Sequence, residues 1–218
     1  MTNAVTLQRS VLLEALKAPA DLMRGLGALK TRYRPMVCPL AAVLDEIPEG
    51  SRLCDIGCGS GSLIFLARKL RHVQTADGYD VSAQAISAAE IFMDMDPGIK
   101  AELTSVKQKP DLAGYNVVTM VDVLHHVPRA SQAAFLADVA SRMDAGAKLI
   151  LMDIDAGRPL RAMANQLHDL LLSREWVQPV SAKKAFDLLG QATLTPDHPR
   201  LFSTLWYGHY LITAVKQG

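Results

Sequence analysis

Cysteine is scarce in this chain of 218 residues: Cys38, Cys54 and Cys58 are all there is. Three thiols make no disulfide framework, and without a C-x-x-C pair they outline no tetrahedral zinc centre. Reduced thiols serving as small core or loop residues are the expectation. An excess of one charge is also missing. Lys and Arg number 23 against 22 Asp and Glu, a net +1, which leaves no electrostatic case for a nucleic-acid partner. No apolar run approaches the length of about 18 residues that spans a bilayer. The start, MTNAVTLQRSVLLEALKAP, lacks the basic segment and long apolar core of a signal peptide. A cytoplasmic location without a membrane span is therefore expected. What is present is ordinary globular composition, 50% hydrophobic and 21% charged, enough for a core that needs neither disulfide nor structural metal. One local exception is the basic stretch Lys30-Thr-Arg-Tyr-Arg34, read as a solvated loop, with an anion contact as the alternative.

Hydrophobic periodicity divides the chain. Leu7, Leu12, Ala15 and Leu16 mark a helix over 7–17 that Pro19 is expected to stop. Further helical pieces follow at 20–30, before Tyr33-Arg34-Pro35, and at 39–47. From residue 52 strands and helices alternate. Arg52–Ile56 is a short apolar strand, and Leu63, Leu66, Ala67 and Leu70 lie on one helical face. Thr75–Tyr79 is a second strand, and a helix over 82–94 starts at Ser82, a fair N-cap. Strands are expected at 99–106, 116–121 and 148–154, with a helix through Leu136, Val139, Ala140 and Met143 before the last of these. Beyond 155 the alternation ends. Helices are expected around 162–172 and 181–191, and 202–216 suits a pair of strands.

This alternation implies an α/β fold, a doubly wound, seven-stranded, mostly parallel sheet. Residues 1–47 form an N-terminal helical cap. Residues 48–218 form the main domain, with a helical insertion at about 156–200 before the last strands.

The chemistry concentrates where strands end, because an open parallel sheet binds ligands at the carboxyl ends of its strands. The first strand runs into Asp55-Ile-Gly-Cys-Gly-Ser-Gly61. Glycines at 57, 59 and 61 permit a sharp turn and close ligand approach, and the helix that follows offers free amides. The spacing is neither the G-x-G-x-x-G of dinucleotide sites nor a P-loop, since no Lys-Ser/Thr follows. Asp80 ends the second strand about 20 residues on, where a carboxylate binds ribose hydroxyls; an N-cap or turn role is its alternative. Asp55 either braces the loop or faces a ligand amine. At the exit of the fourth strand, Asp122-Val-Leu-His-His126 supplies two imidazoles, groups that titrate near neutrality and accept protons in catalysis.

Taken together, DIGCGSG, Gly78-Tyr-Asp-Val-Ser82 and YNVVTMVDVLHHVP at 115–128 resemble the motif set of class I, Rossmann-like S-adenosylmethionine-dependent methyltransferases. The resemblance spans about 48–155. It implies that Gly57, Cys58 and Gly59 line the methionine end of S-adenosyl-L-methionine, with Asp55 and Gly61 in the same loop. It further implies that Asp80 holds the ribose with Val81 beside it, and that Asp122 and Val123 lie next to the cofactor. S-adenosyl-L-homocysteine would be the product. An adenine-contacting acid is not assigned, since only Asp111 is on offer and it is displaced. Asp122-x-x-His125-His126 also resembles the acid-x-x-acid-His pattern of quinone-biosynthetic O-methyltransferases, which has been linked to a divalent cation. The second acid is His125 here, and no metal is assigned.

The function expected is methyl transfer to a small aromatic or acyl acceptor, free or carrier-bound. O-methylation with His126 as base is preferred, and His125 is the other candidate. C- or N-methylation, and a non-catalytic cofactor-binding or interaction module, are the alternatives. Tyr33, Arg34, His168, Trp176, Tyr207 and His209 are candidate acceptor-pocket residues. Trp206 and Tyr210 belong to the same aromatic cluster, whose bland reading is core packing of the terminal strands. Neither a nucleic-acid partner nor a membrane span is expected, and the chain is expected to be a monomer or a homodimer.

Overall fold

Fully buried apolar runs, VVTMV and LILM, mark the strands that neither face of the sheet exposes to water. A computed structural model of the protein describes residues 7–23, 25–105, 108–157, 177–204 and 207–218. The chain forms two compact units, Met1–Asp111 and Leu112–Gly218.

The first unit begins with three helices, α1 (Arg9–Leu22), α2 (Gly25–Val37) and α3 (Leu40–Asp45). Strands and helices then alternate: β1 (Arg52–Ile56), α4 (Ser62–Arg71), β2 (Thr75–Asp80), α5 (Ala83–Met95) and β3 (Ile99–Leu103). Strand β2 lies between β1 and β3, and both pairings are parallel. Two prolines depart from expectation. Helix α1 continues through Pro19 and α2 through Pro35. A proline inside a helix costs about 3 kcal/mol through a lost amide bond and a clash with the preceding turn. Both lie near the carboxyl ends of their helices, and Pro19 is buried with Leu12, Ala15, Leu16 and Ala20, so burial offsets that cost. The basic stretch Lys30–Arg34 is consequently helical, not a loop.

Helix α4 buries Leu63 through Ala67, and its Phe65 ring sits 4.8 Å from Phe92 of α5. Beyond that contact Arg68 clasps Asp96, at 2.9 Å and 3.0 Å, and donates to the Val73 and Gln74 carbonyls. The β1 exit loop rests on β2 because position 78 has no side chain. A Cβ there would lie 2.6 Å from the Cys58 Cβ and 2.7 Å from its Sγ.

The second unit contains β4 (Val117–Val121), a 3-10 turn (Leu124–His126), α6 (Arg129–Arg142) and β5 (Lys148–Ile154). After these come α7 (Ala182–Gln191), β6 (Leu194–Pro196), β7 (Arg200–Thr204) and β8 (Tyr207–Lys216). Strands β4 and β5 are parallel, whereas β8 runs antiparallel to β5, β6 and β7. The β7–β8 hairpin is the expected terminal strand pair. The three-residue β6 makes eight strands among the described residues where seven were expected. The helix expected over 162–172 lies outside the described residues.

Two outcomes check this packing. Gly78→Ala should destabilise the chain by about 1–3 kcal/mol, because the new Cβ overpacks against Cys58. The Gly78→Ala/Cys58→Gly pair should recover at least about 0.5 kcal/mol of that loss in denaturant titrations; strictly additive losses would refute the contact. The hydrogen bonds from Arg68 hold the Asp96 carboxyl below the usual aspartate range. A depressed folded value means that the stability is present above the unfolded value, about pH 4, and fades as pH falls through the folded one. Urea midpoints should therefore drop more steeply on acidification in the natural chain than in Asp96→Asn, and equal slopes would count against the clasp.

Candidate functional site

In the first unit the glycine loop is built by backbone hydrogen bonds to the end of β2. The amides of Gly57 and Cys58 both donate to the Tyr79 carbonyl, at 2.7 Å and 3.1 Å. The Gly59 amide donates to Asp80 Oδ2 at 2.9 Å, and the Ser82 amide to Asp80 Oδ1 at 2.8 Å. The Ser82 hydroxyl then caps α5 by accepting from the Ala85 amide. Asp80 thus fulfils its turn role and more, since one carboxylate ties the loop to the start of α5. A carboxylate has about four acceptor positions, so these two bonds leave lone pairs on the partly exposed Asp80 for hydroxyl donors.

Gly57, Gly59 and Gly61 all take positive φ, at 75°, 55° and 83°, a region costly for other residues. A Cβ built on Gly59 would meet nothing within 4 Å, whereas one on Gly61 would press on Ala89 at 3.3 Å. Gly59 is therefore the position where the loop presents bare backbone to open space. Helix α4 begins at Gly61 with no side-chain cap, so its first amides remain as donors toward that loop.

Asp55 is buried in β1. Burial pushes the Cys58 thiol far above its ordinary range, and Asp55 and Asp80 add to the shift. A thiol held neutral is neither a nucleophile nor a metal-binding thiolate, and all three cysteines are buried outside any disulfide. Val81, 68% exposed, follows Asp80 on the surface.

In the second unit β4 is followed directly by Asp122, whose φ of 58° is left-handed for a residue with a side chain. Its amide donates to the Met152 carbonyl at 2.9 Å, and its Oδ1 lies 3.3 Å from His209 Nε2. Val123 leads into the 3-10 turn. His125, 4% exposed, is anchored twice by the fully buried Asp153. Its amide donates to Oδ2 at 3.1 Å, and its Nδ1 pairs with Oδ1. The turn is fixed from beneath by Gln132, whose amide group donates to the carbonyls of Leu124, Val127 and Gln178. His126 stays exposed, its ring centroid 4.1 Å from that of His125. Of the two imidazoles, the outer one alone is open to solvent.

Other expected pocket residues fall in different places. Tyr33 is 49% exposed on α2, and Arg34 is half-buried beside it. His209 is buried in β8 against Asp122, an inward position on the strand rather than a solvent-facing one. Tyr207 opens β8, and only its backbone is described. His168, Trp176 and Trp206 lie outside the described residues.

Two contributors, Gly78 and Asp153, are given no role by the sequence motifs. Gly78 is hidden because a strand glycine carries no periodic signal. Asp153 could have been found, since a lone carboxylate inside the apolar run LILMDI needs a buried partner. Tyr210 is fully buried in β8, and its hydroxyl makes no hydrogen bond among the described residues. Burial raises its phenol well above the ordinary range, and Asp153, Asp155 and Asp122 add to the shift.

Comparison with known proteins places the fold in a family. A family model described as a methyltransferase domain matches residues 28–197. The mitochondrial ubiquinone biosynthesis O-methyltransferase of Candida albicans is 32% identical over 117 residues, covering 51% of this chain and 35% of that protein. The indolepyruvate C-methyltransferase of Streptomyces griseus is 30% identical over 139 residues, covering 58% of this chain and 40% of that one. The chain thus spans well under half the length of either relative. Among solved structures, magnesium protoporphyrin IX methyltransferase from Synechocystis PCC 6803, with bound SAH, superposes with a TM-score of 0.67 at 19% identity, covering 96% of each chain. With the domain match running through most of its length, the chain belongs to the class I, Rossmann-like family of S-adenosylmethionine-dependent methyltransferases.

Proposed function

We propose that the protein transfers a methyl group from S-adenosyl-L-methionine to a small acceptor, oxygen being the preferred atom. The observation that carries this reading is the bare backbone of Gly59, held open by Asp80. The donor set fits the cofactor. S-adenosylmethionine presents ribose hydroxyls, an amine and a carboxylate but no pyrophosphate, and this loop offers carboxylates and amides without a lysine. Asp80 would hold the ribose, with Val81 beside it. Gly57, Cys58, Gly59 and Gly61 would receive the methionine end, with Asp55 beneath them. The family resemblance assigns Asp122 and Val123 to the same cofactor. When bound, that cofactor supplies an electrophilic methyl group on a sulfonium.

The chain's own part is positioning and proton removal. Bringing donor and acceptor into line is the largest lever for a displacement of this type. His126, exposed and backed by the anchored His125, is the group suited to take the acceptor proton. His125 is bound to Asp153 and is better placed to orient the pair than to meet an acceptor. The named relatives divide between O- and C-methylation, and an imidazole base serves either, since an enolisable carbon must also lose a proton. Arg34 remains a candidate for the acceptor side, whereas Tyr33 stands on the exposed face of α2, and a carrier-bound acceptor belongs to the same proposal.

Release of S-adenosylhomocysteine across a panel of phenols, 2-oxo acids, acyl thioesters and amines tests the reading. Phenols or other hydroxyl acceptors should give turnover, and turnover on amines alone would contradict the preference for oxygen. His126→Ala should lower kcat about 100-fold or more while leaving donor affinity unchanged. Full activity in that variant would remove His126 as the base.

A further inference from the structure

The first 37 residues carry six Lys and Arg against two acids, a net +4, in a chain whose total is only +1. The remainder is therefore net −3, and the basic character belongs to the helical N-terminal segment. Arg9 and Lys17 of α1 and Lys30 of α2 are exposed. The same two helices hold large apolar side chains in water. Leu22, the last residue of α1, is 64% exposed and Leu29 of α2 is 55% exposed. Tyr33, one turn further on, completes the exposed face. Of nine exposed large hydrophobic residues among those described, four, with Val11, lie on α1 and α2, a concentration that scattered surface exposure does not produce.

The corner between the helices is held in shape. Arg32 of α2 pairs with Asp21 of α1 at 3.1 Å. On the inner side of α2, Thr31 is buried with its hydroxyl 3.3 Å from that of Ser60 in the glycine loop. Beneath the corner a cleft of about 600 Å³ lies between Leu22, Met23 and Gly27 on one side and Gln84, Ala88 and Ile91 of α5 on the other. One face of α2 therefore rests on the loop while the opposite face presents apolar tips among cations.

We propose that this α1–α2 corner docks on the surface of an anionic lipid bilayer. Leucine and tyrosine side chains at the acyl–headgroup boundary, with lysine and arginine among the phosphates, are the composition that interfacial helices use. Charge argues against a second copy of the chain, since two like basic segments repel when brought together. The largely apolar lining of the cleft suits acyl chains rather than the polar rim of an acidic soluble protein. The docking requires no membrane-spanning helix, and none of the described helices is long and apolar enough to be one. It is independent of the methyl-transfer reading, because binding is measured without donor or acceptor.

Co-sedimentation of the full chain with vesicles tests the proposal. Phosphatidylcholine vesicles containing phosphatidylglycerol should retain the chain about tenfold better than pure phosphatidylcholine, and added salt should weaken the retention. Leu22→Ser/Leu29→Ser and Lys30→Glu should each reduce it about fivefold or more, with unchanged circular dichroism. Absence of vesicle binding would overturn the proposal, as would equal binding to neutral vesicles or full binding by either variant. A dimer in solution that the same substitutions dissociate would also overturn it, in favour of self-association.

Discussion

The Asp80 carboxylate is the constraint on which the first unit's site depends. It accepts the Gly59 amide on one oxygen and the Ser82 amide on the other. A single side chain thereby fixes both the loop that leaves β1 and the helix that follows β2. The Tyr79 carbonyl completes the arrangement by taking two loop amides. These bonds hold three consecutive alternate glycines in conformations that side chains resist, and they leave Gly59 facing open space. The loop is shaped before any ligand arrives, which lowers the ordering cost of binding. The same packing buries Cys58 against Gly78 and keeps its thiol neutral. The cysteine in the middle of the glycine run is filler with a small side chain, not a reactive group.

The second unit uses a different device, a chain of buried polar contacts ending at the surface. Asp153 lies wholly inside, pairs with His125 and accepts its backbone amide. A buried carboxylate without such partners would cost several kcal/mol. Gln132 spends its amide hydrogens on three carbonyls and pins the turn around them. The result is one anchored, buried imidazole and one exposed imidazole tilted against it at 42°. That asymmetry gives the His-His pair its division of labour in the proposed reaction. Asp122, in a left-handed conformation beside His209, marks the point where the strand is bent into that turn.

Much of this was legible from residue patterns. Strands β1, β4 and β5 follow from short apolar runs bounded by turns, β2 from its place in the strand–helix alternation, and Asp80 from its position at the end of β2. The N-terminal prolines misled, because a proline near the end of a helix can be retained when neighbouring packing offsets its cost. The basic stretch Lys30–Arg34 suggests a solvated loop through its run of charge, yet it is helical within α2. Gly78 could not be read from one strand alone, since its meaning lies in Cys58, which approaches it from the neighbouring loop. His209 and Tyr210 belong to an aromatic cluster with two readings, acceptor pocket or core packing of the terminal strands, and both are buried in β8. Their alternation along the strand is masked by side chains that are large on both faces.

Titration calorimetry with S-adenosylhomocysteine, run on the natural chain and on Asp80→Ala, tests the central claim most directly. The account predicts one ligand per chain, and an affinity about 5- to 150-fold weaker in Asp80→Ala, the consequence of roughly 1–3 kcal/mol for hydroxyls left unpaired. No binding to the natural chain, or equal affinity in the two proteins, would contradict it.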